Sequence, residues 1–159
     1  SEGAAIEDHG LEFESVGEFC EQRGFDFLLK LHPSEGGETN DSDAVHTLPE
    51  YLDVYDVLSD VDILVTDYSS IYFDYLHVNN PVVFYPYDLE TYESMRGFYF
   101  DYDNVTPGPR AFSRSGLLSS LDGIMSGTDQ YESQRRELLN EFYDHTDGNS
   151  SGRVIRILE

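Results

Sequence analysis

Two loops carry residue types suited to chemistry on an anionic substrate. Residues 62–70, DILVTDYSS, pass from an apolar run into Thr66, Asp67, Tyr68, Ser69 and Ser70, and a second run, VVFY, ends in Pro86, Tyr87 and Asp88. Ser69 or Ser70 opens a helical pattern. Their hydroxyls either cap that helix or turn outward beside free N–H groups to hold a phosphate oxygen. A helix N-terminus favours an anion by about 0.3–1 kcal/mol even when exposed. Asp67 suits orienting a hydroxyl or accepting from backbone N–H groups, and would repel a phosphate if aimed at one. A third loop, LKLHP, places Lys30 and His32 at a strand end, as alternate residues on one face. His32 could present a cation or donor to a phosphate, or act as an acid or base, which makes it the candidate catalytic residue. Arg96, in MRGFYFD, is a candidate anion ligand. Other chemistries lack their signatures: there is no Walker loop, no GxGxxG after a strand, no GxSxG elbow and no Cys/His cluster at metal-ligand spacing. No metal and no cofactor are expected.

The elements that must position these groups follow from periodicity. Leu11, Phe13, Val16, Phe19 and Cys20 recur at helical spacing and stop at Gly24. Strands are predicted at 25–31, 44–48, 62–66 and 82–85, the last two continuously apolar, as in strands buried on both faces. Thr47 and Glu50 have capping-box spacing with Pro49 between them, which predicts a helix over 49–58. A helix over 70–78 ends at NNP, and helices are predicted at 115–126, 130–144 and the C-terminus. Residues 97–110 read as an aromatic loop with a Pro-Gly-Pro turn. Strands alternating with helices specify an α/β fold with a parallel sheet. Parallel strands bring their carboxyl-end loops to one edge, where ligands bind in such sheets.

Composition narrows the partners. The 159 residues include 32 acidic against 9 basic side chains, a formal net charge of −23. That charge disfavours duplex nucleic acid and an anionic membrane surface as general partners. It fits adaptation to a high-salt cytoplasm, where screening relieves self-repulsion. Aromatic residues make up 14% of the chain, and apolar runs alternate with polar ones, so disorder is rejected. The single cysteine, Cys20, falls on the apolar helix face and reads as a core thiol. No apolar run is long enough to cross a membrane, and SEGAAIEDHG lacks the features of a signal peptide, so a cytoplasmic protein is expected.

Six segments then occur together in one order: LKLHP, DILVTDYSSIYFDY, PVVFYPYD, RGFYFD, PGP and a late DG-x-x-S-x-R formed by Asp147, Gly148, Ser151 and Arg153. Over residues 11–158 the chain resembles the C-terminal half of the CDP-glycerol glycerophosphotransferases, enzymes of teichoic-acid-type polymer synthesis. That resemblance implies the Rossmann-like, donor-binding half of a GT-B fold. It implies that His32, Ser69 and Ser70 contact the donor diphosphate and that Asp67 supports their loop. The loops around Arg96 and Pro107–Gly108–Pro109, with Asp147 and Ser151, would line the donor pocket. The expected partners are a CDP-linked polyol donor and an acceptor-binding N-terminal half or a membrane-associated acceptor polymer, with a peripheral place at the inner membrane face open. Residues 1–159 are expected to form one donor-nucleotide-binding domain, a fragment of a two-domain transferase or a stand-alone module. The family's first strand finds no match in SEGAAIEDHG. In the order 3-2-1-4-5-6 it would be central, so its neighbours must pair directly or borrow a strand. Rival readings are a UDP-sugar transferase or epimerase-like domain, and a non-catalytic binding module.

Overall fold

A computed structural model describes residues 12–30 and 44–158. The first amphipathic stretch forms α1 (Phe13–Glu21), and the chain turns away at Gly24, whose φ of +77° is a backbone state that side chains with a Cβ resist. β1 (Leu28–Leu29) follows, and β2 (His46–Thr47) pairs with it in parallel. β3 (Leu64–Thr66) and β4 (Val82–Phe84) form a second parallel ladder, in register Leu64 to Val82, Val65 to Val83 and Thr66 to Phe84. All four predicted strands are present, shorter than expected, and both pairings are parallel.

Of the two ways to fill the centre of the sheet, direct pairing of the neighbours or a borrowed strand, direct pairing is not seen among the described residues. Among the described residues the two ladders are not hydrogen-bonded strand neighbours. Side-chain packing joins them instead, since Leu29 and Val45 from the first ladder enter the same core cluster as Val83 and Tyr85. An edge partner that the sequence did not disclose lies on β4. There Phe84 donates its N–H to the Pro109 carbonyl at 2.9 Å and accepts from the Ala111 N–H at 2.8 Å.

β4 explains the layering. Val82, Val83 and Phe84 are fully buried, each contributing about 1.5–3 kcal/mol of apolar burial. Successive side chains point to opposite faces. Val83 and Tyr85 pack with Phe13, Val16 and Cys20 of α1 and with Leu117 and Leu121 of α6 (Arg114–Met125). Val82 and Phe84 pack with Tyr72, Tyr75 and Leu76, and with Leu138 of α7 (Glu132–Phe142). Helices therefore cover both faces of the β4 ladder. Cys20 is in this core, and burial pushes its thiol pKa up, against the opposing charge of Arg23.

Three helices depart from the predicted pattern. The segment after β2 forms only one short helix, α2 (Tyr55–Leu58), and the Thr47–Glu50 box does not cap it. Lys30 Nζ donates to the carbonyls of Pro49, Glu50 and Leu52 at 2.6, 3.1 and 3.1 Å, which holds 49–52 as a turn, and Asp53 receives the Tyr55 N–H. Between residues 89 and 110, where no helix was predicted, α4 (Leu89–Met95) and α5 (Tyr102–Val105) form. The predicted 70–78 helix is α3 (Ile71–Tyr75), prolonged by turns to Asn79, whose φ is +61°. The terminal helix is α8 (Ser150–Leu158).

Candidate functional site

The loops after β3 and β4 leave the ladder together at its carboxyl edge, just beyond the bond from the Tyr85 N–H to the Thr66 carbonyl at 2.7 Å. Asp67 folds its carboxylate back onto its own loop: Oδ1 accepts the Ser69 N–H at 3.1 Å. Ser69 Oγ accepts the Ile71 N–H at 3.4 Å, so this hydroxyl closes a local turn while its side chain stays exposed. Ser70 stands at the N-cap of α3, is exposed, and makes no side-chain cap. The capping and outward readings of the serine pair therefore divide: Ser69 serves the turn, and Ser70 presents a hydroxyl to solvent.

An aromatic cluster lies behind the loop. Tyr68 stacks on Tyr92 at 4.1 Å, Tyr92 on Phe98 at 5.3 Å, and Phe98 on Tyr102 at 5.0 Å. Tyr102 Oη donates to the Asp67 carbonyl at 3.2 Å. Burial, reinforced by the Asp67 charge, pushes the Tyr102 phenol well above its ordinary pKa, so it remains a donor at every physiological pH. Arg96 follows α4, is exposed, and carries its guanidinium 5.9 Å from the centre of the Tyr92 ring, within cation–π range. Among the described residues it has no carboxylate partner. Arg96 thus attaches to the Ser69–Ser70 loop through two stacked rings, a link that sequence reasoning missed. Its signal was the aromatic spacing in YESMRGFYFDY, whose residues 97–102 the sequence reading assigns to a loop.

The other predicted residues are placed as follows. His32 lies outside the described residues. Lys30 directly follows β1 and commits its three ammonium protons to the carbonyls of Pro49, Glu50 and Leu52. Gly108 is buried against β4, where an added Cβ would collide with the Val82 carbonyl, so the glycine there serves close packing of the 106–111 segment. Asp147 accepts the Asn149 N–H at 3.1 Å and pairs with Arg153 at 2.6 Å. The Arg153 hydrogen bond, followed by that N–H, holds its carboxyl at about 2. Ser151 is an exposed residue in the first turn of α8. Asp67, Ser69, Ser70 and Arg96 are thus gathered around one edge, and nothing among the described contacts ties Asp147 or Ser151 to them.

Comparison with known proteins supplies the family. The CDP-glycerol:poly(glycerophosphate) glycerophosphotransferase family matches residues 4–159. The chain belongs to this family. Among its relatives, the teichoic acid ribitol-phosphate polymerase TarL of Staphylococcus aureus is 31% identical to this chain over 153 residues, a match covering 93% of this chain and 26% of TarL. A solved structure of a variant of the wall teichoic acid polymerase TagF superposes with a TM-score of 0.74 and 25% identity, covering 91% of this chain and 37% of that one. A TagF variant soaked with CDPG superposes at 0.69, also with 25% identity, covering 89% and 36%. The α/β architecture expected for the C-terminal half of a GT-B fold, with parallel strand pairs and many helices, is the one this chain adopts. It spans about a quarter of TarL and little more than a third of TagF.

Proposed function

We propose that this chain is the donor-binding domain of a polyol-phosphate transferase, part of a longer two-domain enzyme that builds a teichoic-acid-type polymer. The observation that carries this reading is the edge built by the β3 loop. It exposes Ser69 and Ser70 while the Asp67 carboxylate, which would repel a diphosphate, faces the loop's own N–H. Family membership and the CDPG-soaked TagF neighbour support a CDP-linked donor. The polyol is glycerol or a close analogue, since the related TarL is named for ribitol phosphate.

In this mechanism an acceptor hydroxyl attacks the donor β-phosphate, forming the new P–O bond as the bond to CMP breaks. The proton of the attacking hydroxyl passes to a base supplied outside this chain. His32, Ser70 and Arg96 stabilise the developing phosphate charge, because positioning and electrostatics carry phosphoryl transfer. Asp67 and Ser69 shape the loop that presents Ser70. No cofactor takes part in this scheme, and nucleic acid has no role in it. Among the described residues no helix is long and apolar enough to cross a membrane. A cytoplasmic place, against the inner face of the membrane where an acceptor polymer grows, belongs to the same proposal.

Calorimetric titration with CDP-glycerol tests it. Exposed charge-assisted contacts are worth only about 0–1 kcal/mol each, and they must offset a loss of ligand freedom of several kcal/mol. The isolated chain should therefore bind with a Kd of about a millimolar, roughly −4 kcal/mol, holding or improving as KCl rises. Ser69→Ala with Ser70→Ala should weaken it, and an unchanged affinity would reduce both hydroxyls to turn formers. The chain alone should release no CMP from CDP-glycerol, whereas release would mean that it carries its own base.

A further inference from the structure

Tyr68 sits inside the hydroxyl-rich loop, yet its phenol is engaged elsewhere. Oη donates to Asp88 Oδ1 at 2.9 Å and accepts from the Asp88 N–H at 3.3 Å. This two-point tie joins the loop after β3 to the loop after β4 where the backbone ladder ends. Asp88 stands at the N-cap of α4 and makes no side-chain cap there, its carboxylate accepting from Tyr68 instead. Asp and Asn are strongly preferred as N-caps because they satisfy free helix N–H groups. Diverting this one breaks a local rule, and local rules break most often at functional sites. Burial first, then the bond to Asp88, push the Tyr68 phenol far above its ordinary pKa, so the tie does not titrate in the physiological range.

The ring of Tyr68 makes the second connection. It stacks on Tyr92, the residue over which Arg96 lies, and Tyr102 bonds the carbonyl of the adjacent Asp67. We propose that Tyr68 is a positioning residue of the donor site: its hydroxyl and ring hold the exposed serines of one loop and the Arg96 guanidinium of another in a single register. The inference rests on the donor-site reading above and extends it to a residue that does not touch the donor. A phenylalanine would fill the same stack, so the hydroxyl is the part that fixes the register.

Tyr68→Phe separates the two parts. Amide hydrogen exchange on the full chain should show Ser69, Ile71 and Asp88 exchanging about tenfold faster in the variant, with Leu64 and Tyr85 in the ladder unchanged. The Kd for CDP-glycerol should rise about three- to tenfold. Asp88→Asn keeps an acceptor oxygen and removes a negative charge, so it should retain slow exchange and bind the donor as well or better. Should Tyr68→Phe fail to fold, Asp88→Ala removes the acceptor, leaves the ring in place and carries the same comparison. Unchanged loop exchange overturns the proposal, and so does faster exchange with an unchanged Kd. An unmodified chain that binds no CDP-glycerol refutes the donor site itself. Binding that the variant leaves intact refutes only the role of Tyr68.

Discussion

Arg135 and Asp129 offer an asymmetric test of how this chain handles a buried charge. Arg135 is only 1% exposed, whereas Asp129 retains 27% of its side-chain exposure. The guanidinium meets both carboxylate oxygens, at 3.1 and 2.5 Å, and donates to the Asn79 carbonyl at 3.0 Å. Among the described residues Arg135 Nε is buried without an acceptor. Asp129→Ala would strand a buried cation, a loss of about 3–5 kcal/mol, with the lower end expected because the Asn79 carbonyl remains. Arg135→Met strands much less. Asp129 can turn to water and keeps the Tyr131 N–H at 3.1 Å. The substitution also removes the unpartnered Nε, so its net cost should be about 0–1.5 kcal/mol. With a urea slope of about 2 kcal/mol per molar, the aspartate variant should lose about 1.5 M in midpoint and the arginine variant less than half of that. The pair also sets an acid limb. The Arg135 hydrogen bond holds the Asp129 carboxyl below its ordinary pKa. Its contribution is therefore present above the unfolded carboxyl pKa of about 4 and fades as pH falls through the lower folded value. Both variants should flatten stability against pH below about 4. Equal losses from the two substitutions, or a larger loss from Arg135→Met, would refute the reasoning.

Three further expectations follow from particular contacts. Gly108→Ala drives a methyl into the Val82 carbonyl and loosens the two Phe84 bonds to 109 and 111, so calorimetry should show a loss of about 2–4 kcal/mol; an unmoved melting midpoint would mean that the segment shifts freely. At a net charge of −23 the melting midpoint should climb between 0.1 and 2 M KCl, as the Debye length shrinks from about 10 Å to about 3 Å or less; a flat or falling midpoint would rule out high-salt adaptation. The Asp147 carboxyl should titrate by NMR at about 2, its pair with Arg153 intact above the ordinary carboxylate range and released as pH falls through that value. Arg153→Ala should return it most of the way to the usual value, and a midpoint that stayed put would assign the shift to the Asn149 N–H.

The parts of the fold that could be read in advance are those in which one local signal met no competitor. VVF is apolar at every position because both faces of β4 are covered, and no helix or turn pattern fits the same run. The 11–24 helix was legible because its apolar residues share one face and Gly24 ends it. The Thr47–Glu50 signal failed because Lys30, distant in sequence, claimed three carbonyls in that turn, and no local rule includes such a partner. α4 and α5 were hidden for a related reason. Tyr92, Phe98 and Tyr102 show no helical stripe facing one core, since they pack on one another and on Tyr68 across the strand-end loops. The same distinction holds at the site. Parallel strands made the edge carrying Asp67, Ser69 and Ser70 predictable, whereas the roles of Lys30, Gly108 and Tyr68 depend on contacts that only tertiary structure creates.

α8 has a history written into its exposure. Val154, Ile155, Ile157 and Leu158 are 54%, 57%, 83% and 82% exposed, and no residue of the helix is buried. Nine residues are too few for a helix to be more than marginal in water on propensity alone. Among the described residues, the Asp147–Arg153 clasp and the bond from the Arg153 N–H to the Asn149 carbonyl secure its first turn. Such sparse burial places α8 at the low end of local opening free energies, below the core around β4. Of the helices among the described residues, α8 is expected to melt and to admit proteases before those packed on β4. Global denaturation curves will pass over it, and only residue-level exchange will register when it is folded.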